Sequence, residues 1–190
     1  GSSDPSAHSA RRHRAPQNLA FGGSQRCGRF APSSCSVRGV PDRRRGASLD
    51  PRDVSRGLFV TGTDTGVGKT LLACALLHAF ASIGKSVVGM KPVAAGSEAG
   101  RWADVDALTA ASTVHAPAAL MNPYAFEPAI APHLAAELAG VRIEIEVIAR
   151  ACVELSRRAD LVVVEGVGGF LVPLNARNTG ADLAQRLALP

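Results

Sequence analysis

Aromatic side chains are scarce in this 190-residue chain: one Trp, one Tyr and six Phe. A nucleic-acid surface built from basic residues interleaved with aromatics is therefore missing, and no nucleic-acid partner is expected. Long apolar runs are missing too. None approaches the ~18 residues that cross a bilayer, so a soluble protein without a membrane partner is expected. Paired cysteines are absent. Cys27, Cys35, Cys74 and Cys152 show no CxxC spacing, which excludes a zinc or disulfide framework. Cys74 and Cys152 fall on apolar helical stretches, where a free cysteine packs as a small hydrophobe. That usage suits a reducing compartment, and a cytoplasmic location is expected. Internal repeats are not found either.

What is plentiful is alanine and the aliphatics. The chain is 46% hydrophobic with few aromatics, a balance that suits a parallel sheet buried between helices. Its length supports one domain with a full core.

The net charge of +5 is unevenly placed. Residues 1–57 hold eleven Arg against four acids, and residues 58–190 hold ten Lys and Arg against twelve acids, a split of +7 and −2. The first segment is rich in Ser, Arg, Gly and Pro and has no hydrophobic period, so it reads as a disordered extension. Its Arg-rich, acid-poor composition also matches an organellar transit peptide, which would move the protein from the cytoplasm to an organelle. The plainer reading is an upstream extension without a role. No Met precedes Met90, so the start of the native chain is not visible.

The domain proper is expected over 58–190. Leu58–Thr61 reads as a buried strand. A Gly/Thr loop follows over 62–68. Apolar residues at 72, 75, 76, 79, 80 and 83 predict a helix over 69–83, stopped by Gly84. Ser86–Met90 is a second strand, which completes a βαβ unit. Helices are predicted over 103–112, 132–138, 144–158 and 181–187, and a long loop over 122–132, where three prolines fall. Leu161–Val164 is an unbroken aliphatic run, as expected of a central parallel strand buried on both faces.

Three constellations carry chemistry. The first is Gly62-Thr63-Asp64-Thr65-Gly66-Val67-Gly68-Lys69-Thr70. Glycines let backbone N–H groups approach an anion. A helix N-terminus supplies unpaired N–H groups and partial positive charge. Lysine and hydroxyl then serve the outer phosphates and Mg²⁺. The loop has five residues between its first glycine and Gly-Lys, one more than the common phosphate loop. The second is Lys91 in Lys91–Gly96, at a strand's carboxyl end, where ligands of open α/β sheets bind. The third is Glu165, ending the aliphatic strand where a carboxylate can hold Mg²⁺. Gly166, Gly168 and Gly169 beyond it offer further backbone donors. Asp104 and Asp106 open a helix, and either can be a plain cap. His133 can line the cleft or serve packing.

From Leu58 to Pro190 the chain resembles dethiobiotin synthetase. The resemblance rests on FVTGTDTGVGKT (59–70), KPVAAG (91–96), DAL (106–108), NPYAFEPAIAPHLAA (122–136) and VVVEGVGGFLVPL (162–174). The five-residue loop spacing is that family's own form of the phosphate loop. The resemblance implies an α/β, P-loop NTPase-like three-layer domain with a mainly parallel sheet. It implies an ATP- and Mg²⁺-dependent ligase acting on 7,8-diaminononanoate and CO₂. One amine forms a carbamate, whose oxygen attacks the γ-phosphorus of ATP. The second amine then closes a cyclic urea and expels phosphate. By the same resemblance Lys69, Lys91 and Thr65 are catalytic, residues 62–70 with Glu165 and Gly168 bind nucleotide, and Thr70, Asp106 and Glu165 surround the metal. Gly66 stands where some members have an acid, and Ala95 where some have a hydroxyl. Family members continue beyond the position of Pro190, so a fold incomplete at its C-terminus is expected, and a homodimer when complete. Rival readings are an amidating enzyme of the cobyrinic-acid type, a partitioning-type ATPase switch and a nucleotide-binding fragment without catalysis.

Overall fold

The aliphatic run Leu161–Val164, with Glu165 at its end, is the middle strand of a three-stranded parallel sheet. The computed structural model of the protein describes residues 36–37 and 56–190, all within the unit Pro32–Pro190. In chain order the elements are β1 (Ser36–Val37), β2 (Gly57–Val60), α1 (Lys69–Ser82), β3 (Val87–Met90), β4 (Val93–Ala95) and α2 (Ala103–Ala111). There follow α3 (Ala118–Met121), β5 (Tyr124–Phe126), α4 (Pro132–Leu138), α5 (Ile145–Ser156), β6 (Leu161–Glu165) and α6 (Gly180–Leu187). Most of the expected N-terminal extension lies outside the described residues. Two positions inside it, Ser36–Val37, form β1 antiparallel to β5, and Gly57 is already the first residue of β2.

The predicted βαβ unit is present, but β2 and β3 are not neighbours. β6 sits between them, pairing Val60 with Glu165 on one side and Met90 with Val164 on the other. This register brings the carboxyl ends of all three strands to one edge. The phosphate loop, Lys91 and Glu165 leave the sheet together there. On the outer side of β2, the Phe59 N–H donates to the Pro190 carbonyl at 2.7 Å.

Strand alternation sorts the side chains into two layers. Val87 and Val163 join Ala73, Leu77, Leu108 and Ala111 beneath α1 and α2. Val88, Met90, Val162 and Val164 pack with Ile148, Cys152 and Leu155 of α5 and with Leu183 and Leu187 of α6. Helix, sheet, helix is the three-layer α/β architecture expected. Among the described residues no helix is long and apolar enough to cross a membrane.

Helix ends follow local chemistry. Gly84, at φ 81°, closes α1, with Lys85 N–H donating to the Phe80 carbonyl at 3.1 Å. Thr179 and Asp182 form a reciprocal capping box at α6.

Two expectations need correction. The predicted loop 122–132 contains β5, which pairs in parallel with β4 and carries β1 on its other side. A three-residue strand between prolines is too short to show a period. Its hydrogen-bond partner lies some thirty residues earlier. The second correction is the face of α1. The apolar stripe read from Leu72 is one residue out of phase: Ala73 and Leu77 are buried, while Leu72 and Ile83 are exposed. We expect Leu77→Ala to cost about 2–5 kcal/mol and Leu72→Ala under ~0.5 kcal/mol in urea unfolding. Equal costs would mean that α1 is rotated.

Candidate functional site

The loop from β2 to α1 turns through Gly68, whose φ of 97° is left-handed and suited to glycine. α1 starts without any side-chain cap, so its first amides are free to meet an anion. The loop after β6 packs directly against this one. Phe170 N–H donates to the Gly62 carbonyl at 2.9 Å. A Cβ on Gly169 would stand 2.6 Å from the Thr63 carbonyl oxygen, so only glycine lets the two loops touch.

Between them opens a cleft of about 700 Å³. Its phosphate-loop wall is Asp64, Thr65, Gly66, Gly68, Lys69 and Thr70; Glu165, Gly168 and Lys91 complete the polar end. Gly62, Thr63 and Val67 do not line it. The opposite wall was not read from the sequence: Trp102 and the Ala129–Pro132 segment. Trp102 is held by its indole N–H donating to the Phe126 carbonyl at 3.0 Å. Its one sequence signal was being the only Trp in an aromatic-poor chain, two residues before an acid. His133 is not among the lining residues; its buried Nδ1 has no partner among the described residues.

Four side chains converge at the polar end. Lys91 Nζ lies 2.6 Å from Glu165 Oε1 and 2.7 Å from Asp104 Oδ2. Thr70 Oγ1 lies 2.9 Å from Glu165 Oε1 and 3.1 Å from Asp104 Oδ1, so its single proton serves either carboxylate. Lys91 and Glu165 are 4% and 1% exposed, which makes this a buried ion pair. Lys69, also buried, donates to the Asp64 backbone carbonyl. Among the described residues, the buried Glu165 Oε2 atom has no hydrogen-bond partner.

Asp106 is not part of this cluster, contrary to expectation. Its Oδ2 accepts from Arg101 Nε and Nη2, both at 3.0 Å, and the pair is exposed. Two residues along a helix is a turn of about 200°. Asp104 and Asp106 therefore face opposite ways, and Asp104 is the acid that reaches the cleft.

Electrostatics follow the geometry. Burial opposes ionisation of Asp104, but the hydrogen bond and charge of Lys91, with help from Thr70 and Lys69, hold its carboxyl below the ordinary 3.8. Glu146 is likewise held down, first by its hydrogen bond from Arg186. Depressed carboxylates stabilise the fold above their unfolded values, and that contribution is lost as pH falls through the folded ones. We therefore expect a thermal midpoint that is flat above pH ~5 and falls below pH ~4. A midpoint rising on acidification would contradict the pairing. Cys74 is pushed up by burial and then by the charges of Glu165 and Asp104, and burial raises Cys152 to about 12. Both thiols stay protonated near neutrality and are poor nucleophiles.

Residues 56–190 match the family described as an AAA domain, AAA_26. The chain belongs to that family. Within it, the chain is 59% identical over 136 residues to the protein of Nitrosospira multiformis named ATP-dependent dethiobiotin synthetase BioD, covering 72% of this chain and 60% of that one. A protein of the same name from Aromatoleum aromaticum is 51% identical over 139 residues, covering 71% and 62%. Another from Xylella fastidiosa is 48% identical over 137 residues, covering 70% and 60%. The chain thus spans about 60% of the length of the curated relatives it matches. The similarity to dethiobiotin synthetases read from the five sequence stretches holds across this AAA domain.

Proposed function

We propose that this chain carries the nucleotide-activating centre of an ATP-dependent dethiobiotin synthetase, a ligase that forms C–N bonds by closing a cyclic urea on 7,8-diaminononanoate with CO₂. The observation that carries the proposal is the convergence of Lys91, Thr70, Asp104 and Glu165 on the edge of a phosphate loop. Such chemistry asks mostly for positioning and charge stabilisation. The α1 amides and Lys69 would hold the triphosphate. Lys91 would face the transferred group and the carbamate, and Thr65 would lie over that group.

The donor set fits magnesium. Mg²⁺ prefers oxygen and takes one or two carboxylates beside phosphate oxygens and water. Among the described residues there is no cluster of three or more His, Cys, Asp or Glu to hold an ion alone. Two carboxylates and a hydroxyl are present, and the unpartnered Glu165 Oε2 offers a free lone pair. Thr70, Asp104 and Glu165 would hold the ion, which when bound neutralises charge on the outer phosphates.

We also propose a homodimer. Apolar Leu71 and Leu72 on α1, and Leu171 after the second glycine loop, are exposed and available for burial. A cytoplasmic location is the reading that free Cys74 and Cys152 support.

The deciding experiment is turnover of the diamine with bicarbonate and ATP, followed by ureido product and phosphate release. Paired variants test the metal assignment. Asp104→Asn is expected to lower turnover about 10²-fold, and Asp106→Asn to leave it within about twofold. The reverse order would place the ion at Asp106.

A further inference from the structure

Lys91 reaches its two carboxylates from an awkward piece of backbone. β3 ends at Met90 and β4 begins at Val93. Lys91 and Pro92 fall in the break between two sheets. Pro92 has no N–H to give, and the β6 partner register stops at Met90 opposite Val164. The ladder therefore leaves the Lys91 carbonyl without a strand partner. The segment Met121–Tyr124 supplies what is missing. Lys91 N–H donates to the Met121 carbonyl at 2.8 Å, and Tyr124 N–H donates to the Pro92 carbonyl at 3.1 Å. Asn122 closes the clamp: its Nδ2 donates to the Lys91 carbonyl at 2.7 Å and to the Tyr124 carbonyl at 3.0 Å.

Asn122 is fully buried and does not line the cleft. Two carbonyl acceptors fix its amide orientation, because only the nitrogen end can serve both. Its buried Oδ1 has no hydrogen-bond partner among the described residues. A buried orphan acceptor costs stability, so packing alone does not account for an amide at this point.

We propose that Asn122 is a positioning residue, whose carboxamide holds the Lys91 backbone so that the ammonium meets Glu165 and Asp104. The inference rests on the reading of Lys91 as a group of the phosphate site. A shift of ~1 Å in such a group is enough to cost ~100-fold in rate.

The chain has three lysines, Lys69, Lys85 and Lys91, which makes the position of Lys91 directly measurable. Lys69 and Lys91 are buried and Lys85 is exposed. The test is acylation by an amine-reactive reagent, read by mass spectrometry on the full chain without nucleotide. In Asn122→Ala the labelling of Lys91 is expected to rise roughly tenfold relative to Lys85, as a buried hydrogen bond is lost, with Lys69 unchanged. If Lys91 labelling does not change, or if Lys69 rises in step with it, the amide serves the fold in general and the proposal is overturned. Should Asn122→Ala fail to fold by circular dichroism, Asn122→Ser, which reaches one carbonyl at most, gives the same comparison. The affinity for magnesium and a non-hydrolysable ATP analogue separates the two ideas. Asn122→Ala is expected to weaken it in the wild type but not further in Lys91→Met, and additive losses would overturn the proposal. Selective Lys91 labelling with unchanged affinity in both single variants would support the positioning and remove Lys91 from the phosphate site.

Discussion

Lys69→Ala is expected to lower nucleotide-dependent turnover by at least about 10²–10³-fold while leaving the fold nearly intact. Lys69 is the first residue of α1, at the helix end where unpaired amides and the helix dipole favour an anion. Its ammonium rests on the Asp64 backbone carbonyl, a neutral acceptor that a phosphate oxygen would readily replace. Charge-assisted hydrogen bonds are roughly twice as strong as neutral ones, so the exchange favours nucleotide. The lysine stem packs beside Gly62, and alanine keeps the helical backbone at this position. Two measurements check this: phosphate release under saturating ATP, and the thermal midpoint, expected to move by no more than a few degrees. Near-normal turnover in the variant would remove the phosphate-loop assignment.

Lys91→Met is expected to destabilise the ligand-free protein by about 3–5 kcal/mol, the cost of breaking a buried pair by removing one partner. Methionine matches the stem in volume but leaves Glu165 and Asp104 facing each other with no cation between them. Glu165 is 1% exposed, so its carboxylate is poorly hydrated once the ammonium is gone. A divalent cation can pair with it. In the variant, added Mg²⁺ is expected to restore part of the loss through binding linkage, whereas the wild type, with Lys91 already there, gains less. Urea unfolding with and without Mg²⁺ reads both effects. Lys85→Met, on the exposed surface, is the control and should stay within ~0.5 kcal/mol. A Lys91→Met protein as stable as the wild type would show that the ion pair does not hold the site together.

The parts legible in the sequence are those whose signals are local. Residues 62–70 carry their glycines, lysine and hydroxyl at fixed spacing. Gly84 stops α1 through its own backbone freedom. Leu161–Val164 is an unbroken, mostly β-branched run, as expected of a strand buried on both faces. The strand-end positions of Lys91 and Glu165 followed from these.

The parts that were not legible depend on a partner far along the chain. The stretch Leu71–Ala81 is apolar nearly all round, so no period selects Ala73 and Leu77 over Leu72; contact with Val87 and Val163 does. Asp104 and Asp106 are equally good first-turn acids in sequence. What separates them is the direction in which α2 presents each one, towards Lys91 or towards Arg101. Asn122 looked like the start of a proline-rich loop, and its role exists only once the Lys91 carbonyl, thirty-one residues earlier, is brought beside it.

By itself, then, the sequence determined the phosphate loop, the central strand and the stop of α1 at Gly84, because backbone freedom and apolar runs act within a few residues. The tertiary structure decided which acid joins the site, which face of α1 is buried and what holds Lys91. Each of these depends on contact between segments distant in the sequence, and such partners meet only when the layers close.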